Sequence, residues 1–318
     1  MPTDATIRSA LRWSSATLPA EPASGTLPLR HAEAVGASDG PTVTITCGIH
    51  GDEGPWGALA VQHALEQPLA GLRGRLRLVF AANPTAVASD ARCSPLDQLD
   101  LNRCFPGSPV GSHSEQLAAA LLEIVRGSDV LIDLHGGGSW CVNAFTFRFP
   151  GGEDLANAVG APFVVDMPLR TAHLAGTVAE EGTRVTAVEM GGRSVQEMAW
   201  RERLGDGVER MLAVAGSLPE RLAAPEPATA VTNLSVVRPS TGGVLVPTLR
   251  EGAIGTVVDQ GTELGVVHDL HTMEPVETLV APFERTALLL LRPHVTVLEG
   301  GAMTYVVGVP ATAETQAV

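Results

Sequence analysis

The sequence predicts an α/β fold with a mainly parallel or mixed sheet over residues 1–222, followed by a smaller all-β domain over 231–318. Three observations predict it. Apolar, β-branched runs alternate with helix-like stretches through roughly the first 215 residues, the pattern of a sheet covered by helices. The stretch PERLAAPEPATA (219–230) is rich in Pro and Ala and reads as a linker. Beyond it, runs such as LSVVRP, GVLVPTL, ELGVVHD and TALLLLRP alternate with Gly, Pro and Asp turns, the rhythm of a small all-β unit.

TVTITCGI (42–49) is β-branched and apolar, which predicts a buried strand. Gly51 and Gly54 break it, and GALAVQHALEQ (57–67) reads as a helix. RLRLVFAANP (75–84) is a second strand, stopped by Asn-Pro. A polar loop with Pro95, Pro106, Gly107 and Pro109 follows, and Ser114 is placed to cap the helix EQLAAALLEIVRG, which ends at Gly127. DVLIDLHGGG (129–138) is another buried strand, running into a glycine turn. TFRFP, PFVVDM and TRVTAVEMGG supply further strands, and a helix is expected near 195–215. In folds of this class, function collects just past the carboxyl ends of strands.

Composition narrows the chemistry. With 45% hydrophobic and 18% charged residues, 318 residues can bury a core without disulfide staples. A net charge of -14 repels phosphate backbones and anionic lipid, so neither nucleic acid nor a membrane is an expected partner. All 21 basic residues are Arg, which excludes a P-loop lysine, a pyridoxal-phosphate Schiff base and lysine-borne carriers. Cys47, Cys93, Cys104 and Cys141 form no C-x-x-C pair and read as small, buried or semi-buried thiols in a reduced compartment. The N-terminus lacks an apolar leader and no apolar run approaches 18 residues, so a cytoplasmic location is expected. No pattern fixes the oligomeric state, and a homo-oligomer stays open.

The sharpest constellation is H50-G-D-E53, directly after a strand. Imidazole nitrogen and carboxylate oxygen on one turn suit zinc, and His135, at the end of VLIDLH, is placed to be a third ligand. Asp133, two residues earlier on the same side of the strand, can orient an imidazole. Alone, H-x-x-E is common, and a His at a strand end often serves only as a hydrogen-bonded structural residue. In D100-L-N-R103-C-F-P-G107, the Arg103 fork and the Asn102 amide either hold a substrate carboxylate or close a loop salt bridge. Glu189, a lone acid inside VTAVEMGG, is either a general base with a raised pKa or the partner of a buried Arg.

Taken in series, H50-G-D-E53, N83-P84, D100-L-N-R103-x-F-P-G, D133-L-H135 and E189-M-G resemble the succinylglutamate desuccinylase/aspartoacylase family, a branch of the zinc carboxypeptidase fold, over most of residues 42–192. The resemblance implies a zinc-carboxypeptidase-like mixed-sheet catalytic domain followed by a smaller all-β domain. It also implies one Zn2+ per chain on His50, Glu53 and His135, with Glu189 as general base and Asn102 and Arg103 on a substrate carboxylate. The family's further arginine near the scissile carbonyl has Arg92 as its candidate, farther from Arg103 than the family's usual spacing. The activity implied is a zinc amidohydrolase acting on a small acetyl- or succinyl-amino acid. A zinc carboxypeptidase on short peptides and a catalytically silent binding or regulatory protein are the alternatives. The segment EGAIGTVVDQGTELGVV has a lipoyl-domain rhythm but no lysine, so the C-terminal part is expected to be a structural cap. H268-D-L-H271 reads as a solvated turn rather than a second metal site.

Overall fold

The apolar runs become the middle of one mixed sheet in the computed structural model, which describes residues 5–18, 28–169, 172–193 and 196–311. The chain opens with α1 (Ile7–Ala10), β1 (Arg12–Ala16), β2 (Leu29–Val35) and β3 (Ser38–Cys47). Next come α2 (Gly54–Ala60), α3 (Gln62–Leu65), β4 (Arg73–Val79), α4 (Pro84–Ala88) and α5 (His113–Val125). They lead to β5 (Val130–His135), β6 (Val142–Arg148), α6 (Glu153–Ala158), β7 (Phe163–Asp166) and α7 (Leu174–Glu180). β8 (Arg184–Gly191) and α8 (Glu197–Val214) complete the first part. The remainder is β9 (Thr229–Val237), β10 (Gly243–Pro247), β11 (Val257–Asp259) and β12 (Glu263–His268), then β13 (Pro275–Val280), β14 (Arg285–Leu291), β15 (Thr296–Leu298) and β16 (Tyr305–Pro310).

Twelve strands form one sheet in the order β1-β2-β4-β3-β5-β8-β6-β7-β9-β16-β14-β11. Its centre, β4-β3-β5-β8, is parallel. Every residue of β5 is buried, as expected of a parallel strand covered on both faces. One face packs against α2, α3, α6 and α8 through Val61, Leu65, Leu155, Leu204 and Val208, and the other against α5 and α7 through Leu117, Leu121, Leu174 and Val178. Among the described residues, no helix is long and apolar enough to cross a membrane.

The sheet runs across the boundary expected at 219–230. β9 pairs in parallel with β7, and β16 and β14 continue from it. β14 also pairs with β6, so β6, β7, β9, β16 and β14 close into a circuit. Phe145, Phe163, Val165, Val231, Ala287 and Leu289 pack together across it. A smaller sheet, β13-β12-β10-β15, lies outside this circuit. The all-β part therefore shares hydrogen bonds with the first part, a continuity that no local pattern signals.

Two local expectations change. Asn83-Pro84 does not end a strand but opens α4, where the Asn83 side chain accepts from Ala86 N–H and proline occupies a position that needs no donor. Ser112, not Ser114, caps α5: its hydroxyl accepts from Glu115 N–H and the Glu115 carboxylate accepts from Ser112 N–H at 2.7 Å. Ser114 is buried and bonded to Asp97 instead. Ser112→Ala should therefore cost about 1 kcal/mol. The check is a lower urea midpoint at an unchanged m-value, with Ser114 intact.

Candidate active site

β3, β5 and β8 are adjacent and parallel, with Cys47 level with Leu134 and His135 level with Glu189. His50 lies three residues beyond β3, on a turn closed by Glu53 N–H donating to the His50 carbonyl at 3.2 Å. Gly51 is required there, because a Cβ would sit 2.0 Å from the backbone carbonyl carbon of Ala86 in α4. Level partners on neighbouring strands project to one face, so His135 and Glu189 stand side by side.

Glu53 Oε2 is 2.9 Å from His50 Nδ1 and 3.1 Å from His135 Nδ1. The far side of each ring is held by a carboxylate: His50 Nε2 is 3.0 Å from Asp100 Oδ1, and His135 Nε2 is 3.0 Å from Asp133 Oδ2. Asp133 is itself oriented by the Thr46 hydroxyl, which donates to it at 2.6 Å. With each Nε2–H donated outward, a neutral imidazole turns the lone pair of Nδ1 toward an oxygen that also only accepts. Three buried lone pairs converging in this way need positive charge between them.

A divalent ion fits that need. The three donor atoms lie within 4.8 Å of one another, close enough for one ion to be shared among them. Without an ion, protons on the imidazoles supply that charge. Burial by itself would lower both imidazole pKa values and raise that of Glu53. The opposite charges outweigh it, leaving both imidazoles raised and Glu53 well below the usual carboxylate range.

Arg92 lies at this cluster, with Nη1 donating to Glu53 Oε1 at 3.2 Å and Nη2 to Asp100 Oδ2 at 2.9 Å. Asp100 also accepts from Asn102 N–H at 2.9 Å, so one carboxylate joins His50, Arg92 and the start of the D-L-N-R turn. The Asn102 side-chain Oδ1 accepts from Leu174 N–H at the start of α7, at 3.0 Å. Arg103 is exposed and donates to the Asn102 carbonyl at 2.8 Å. Thus His50, Glu53, His135, Glu189 and Arg92 are brought together, whereas Arg103 points its charge toward solvent at the rim of that turn.

Glu189 is half-buried, although Val188 and Met190 beside it are buried. Burial pushes its carboxyl up to about 7, with His135 and the Asn143 amide opposing and the Glu53 charge adding to the rise. Asn143 Nδ2 donates to Glu189 Oε2 at 2.7 Å. In the sequence Asn143 shows only as a lone amide in the apolar run CVNAF, and Asp100 only as the first residue of the D-L-N-R motif. Asp52, inside H50-G-D-E53, gives no signal of its own, yet its Oδ2 accepts from the Ser139 N–H and hydroxyl, tying the His50 turn to the loop after His135.

The profile described as the succinylglutamate desuccinylase/aspartoacylase catalytic domain matches residues 39–215. The chain belongs to the succinylglutamate desuccinylase/aspartoacylase family. The matched stretch runs from β3 through α8 and holds every site residue named above, from His50 to Glu189. A protein of Halomonas elongata, described as N-alpha-acetyl-L-2,4-diaminobutyric acid deacetylase, is 30% identical over 275 residues, 80% of this chain and 78% of its own. The product-bound ectoine utilization protein EutE (DoeB) from Ruegeria pomeroyi superposes with a TM-score of 0.82 at 23% identity, covering 98% of both chains. A succinylglutamate desuccinylase/aspartoacylase from Rhodobacter sphaeroides gives 0.80 at 25%, again over 98% of both. The desuccinylase/aspartoacylase likeness thus spans the C-terminal strands as well as the matched catalytic stretch.

Proposed function

We propose that this chain is a zinc-dependent amidohydrolase that cleaves a small N-acyl amino acid, bearing an acetyl or succinyl group, into a carboxylate and a free amine. The observation that carries this reading is the His50–Glu53–His135 donor set with Glu189 level with His135 one strand away. Two nitrogens and one carboxylate oxygen suit zinc, which when bound lowers the pKa of water and polarises an amide carbonyl. Glu189, with its raised pKa, can take a proton and return it to the leaving nitrogen. Arg92 keeps a guanidinium fixed beside the cluster, where it can meet negative charge developing on the carbonyl oxygen. The carboxylate anchor is assigned to the Asn102 amide N–H groups and the Arg103 fork, whose exposed charge at the rim of the turn would have to swing onto the incoming substrate.

The C-terminal strands act as a cap. Arg292, just past β14, stacks over the Trp140 ring at 4.2 Å and holds the loop that follows His135. The Halomonas elongata relative makes an acetylated diaminobutyric acid the first substrate to try.

The test is hydrolysis by the zinc-loaded protein of N-acetyl-diaminobutyrate, acetyl-aspartate, succinylglutamate and a set of dipeptides. Release of acetate or succinate is expected, with kcat/KM on dipeptides at least about tenfold lower, the discrimination a pocket gains from roughly 1.4 kcal/mol. Preference for dipeptides would make the chain a carboxypeptidase. No hydrolysis of either class with metal bound would make it a binding protein.

A further inference from the structure

Glu189 has Phe145 as its level partner on β6, which places Asn143 on the diagonal, within reach of a long side chain. Asn143 itself faces Gly191, whose φ of +89° and missing Cβ leave the amide room to lean toward the carboxylate. Asn143 is only 4% exposed, between buried Val142 and Ala144, a place where an amide is costly unless hydrogen-bonded. Both its ends are engaged. Nδ2 donates to Glu189 Oε2, and Oδ1 lies 3.5 Å from the Cys141 thiol, which also lies 3.0 Å from the Gly137 carbonyl. Beside it in the sheet, Leu290 of β14 pairs with Asn143.

A glutamate carboxyl turns on a broad, two-fold torsion, so nothing intrinsic to Glu189 decides which oxygen meets the substrate. On the reading that Glu189 is the general base, we propose that Asn143 is a positioning residue for it. Asn143 pins Oε2 and leaves Oε1 as the oxygen that collects the proton and hands it back. The amide cannot serve equally well turned over, because its carbonyl would then face a carboxylate oxygen.

Asn143→Leu keeps the volume and removes the donor. It should lower kcat by about 10–100-fold, the scale of a small misplacement of a reacting group. KM and bound zinc should stay within about twofold, the signature of an interaction made only in the transition state. The deciding comparison places the same substitution in a Glu189→Gln background, where its effect should shrink to under about twofold, since no base is left to orient. A crystal structure of zinc-loaded Asn143→Leu should show the Glu189 carboxyl rotated. Asn143→Ser provides the same comparison if the Leu variant fails to fold. Equal losses in both backgrounds, or a normal kcat beside a crippled Glu189→Gln, would overturn the Asn143 assignment alone. Absence of hydrolysis by the natural protein, or normal turnover by Glu189→Gln, would instead overturn the reading on which it rests.

Discussion

Glu189→Gln should leave the protein folded and metal-loaded while lowering kcat by about 10²–10⁴-fold, the usual contribution of a positioned base. The substitution is nearly isosteric, and Asn143 can still reach an amide oxygen in place of Oε2. What disappears is the group able to accept a proton. The pH profile gives a second reading. The base works only when ionised, so kcat/KM falls as pH drops through its pKa. Burial puts that pKa at about 7 in the ion-free protein, and a dication two side chains away pulls it lower. The acid limb of the natural protein should therefore lie below pH 7 and be absent from the residual activity of the variant. Near-normal turnover would take the role from Glu189 altogether.

His50→Ala should abolish both metal content and activity. Mass spectrometry of the natural protein is expected to find about one zinc per chain, and none in the variant. The loss should exceed the about 10–100-fold in affinity that follows removal of a ligand's hydrogen-bond partner, because a donor atom itself is gone. His50 is also the contact between Glu53 and Asp100, so its removal takes one imidazole partner from each and leaves Arg92 as the link between the two carboxylates. Removing zinc from the natural protein with a chelator should silence it reversibly. A protein that holds no metal and gains no activity on adding zinc would keep its fold and lose its proposed chemistry.

The central strands are legible because both faces are covered, so VLIDLH and RVTAVEMG read as mainly apolar runs in which Asp133, His135 and Glu189 stand out. The edge is not. RWSSA of β1 is exposed at four of five positions and carries no alternation, and TVL of β15 is too short to show a period. The capping residue of α5 was misplaced by two because Ser112, His113 and Ser114 precede Glu115, and only the three-residue spacing of a capping box separates the two serines. His50, Glu53, His135 and Glu189 stand out as polar residues at or near strand ends. Asp100 and Asn143 do not, since their partners lie 50 and 46 residues away and no spacing rule joins them. Arg92 was found through the family's pattern, and its place depends on a loop whose path no periodicity reveals.

The pairing of β14 with β6 also bears on how the chain becomes competent as it is made. Synthesis releases His50, His135 and Glu189 well before Leu290 and Leu291, the residues that lie against Asn143 and Val142. Domains tend to fold from the N-terminus as they emerge, but here the ring around Phe145 and Phe163 stays open until β14 and β16 arrive. A ribosome-bound chain can thus carry the whole set of reactive side chains without the wall that steadies them. Termination ahead of β14 would leave β9 as an open edge and the first residues of β6 unpaired, surfaces prone to recruit strands from other chains. Assembly of the site is thereby tied to strands that are made well after its reactive side chains.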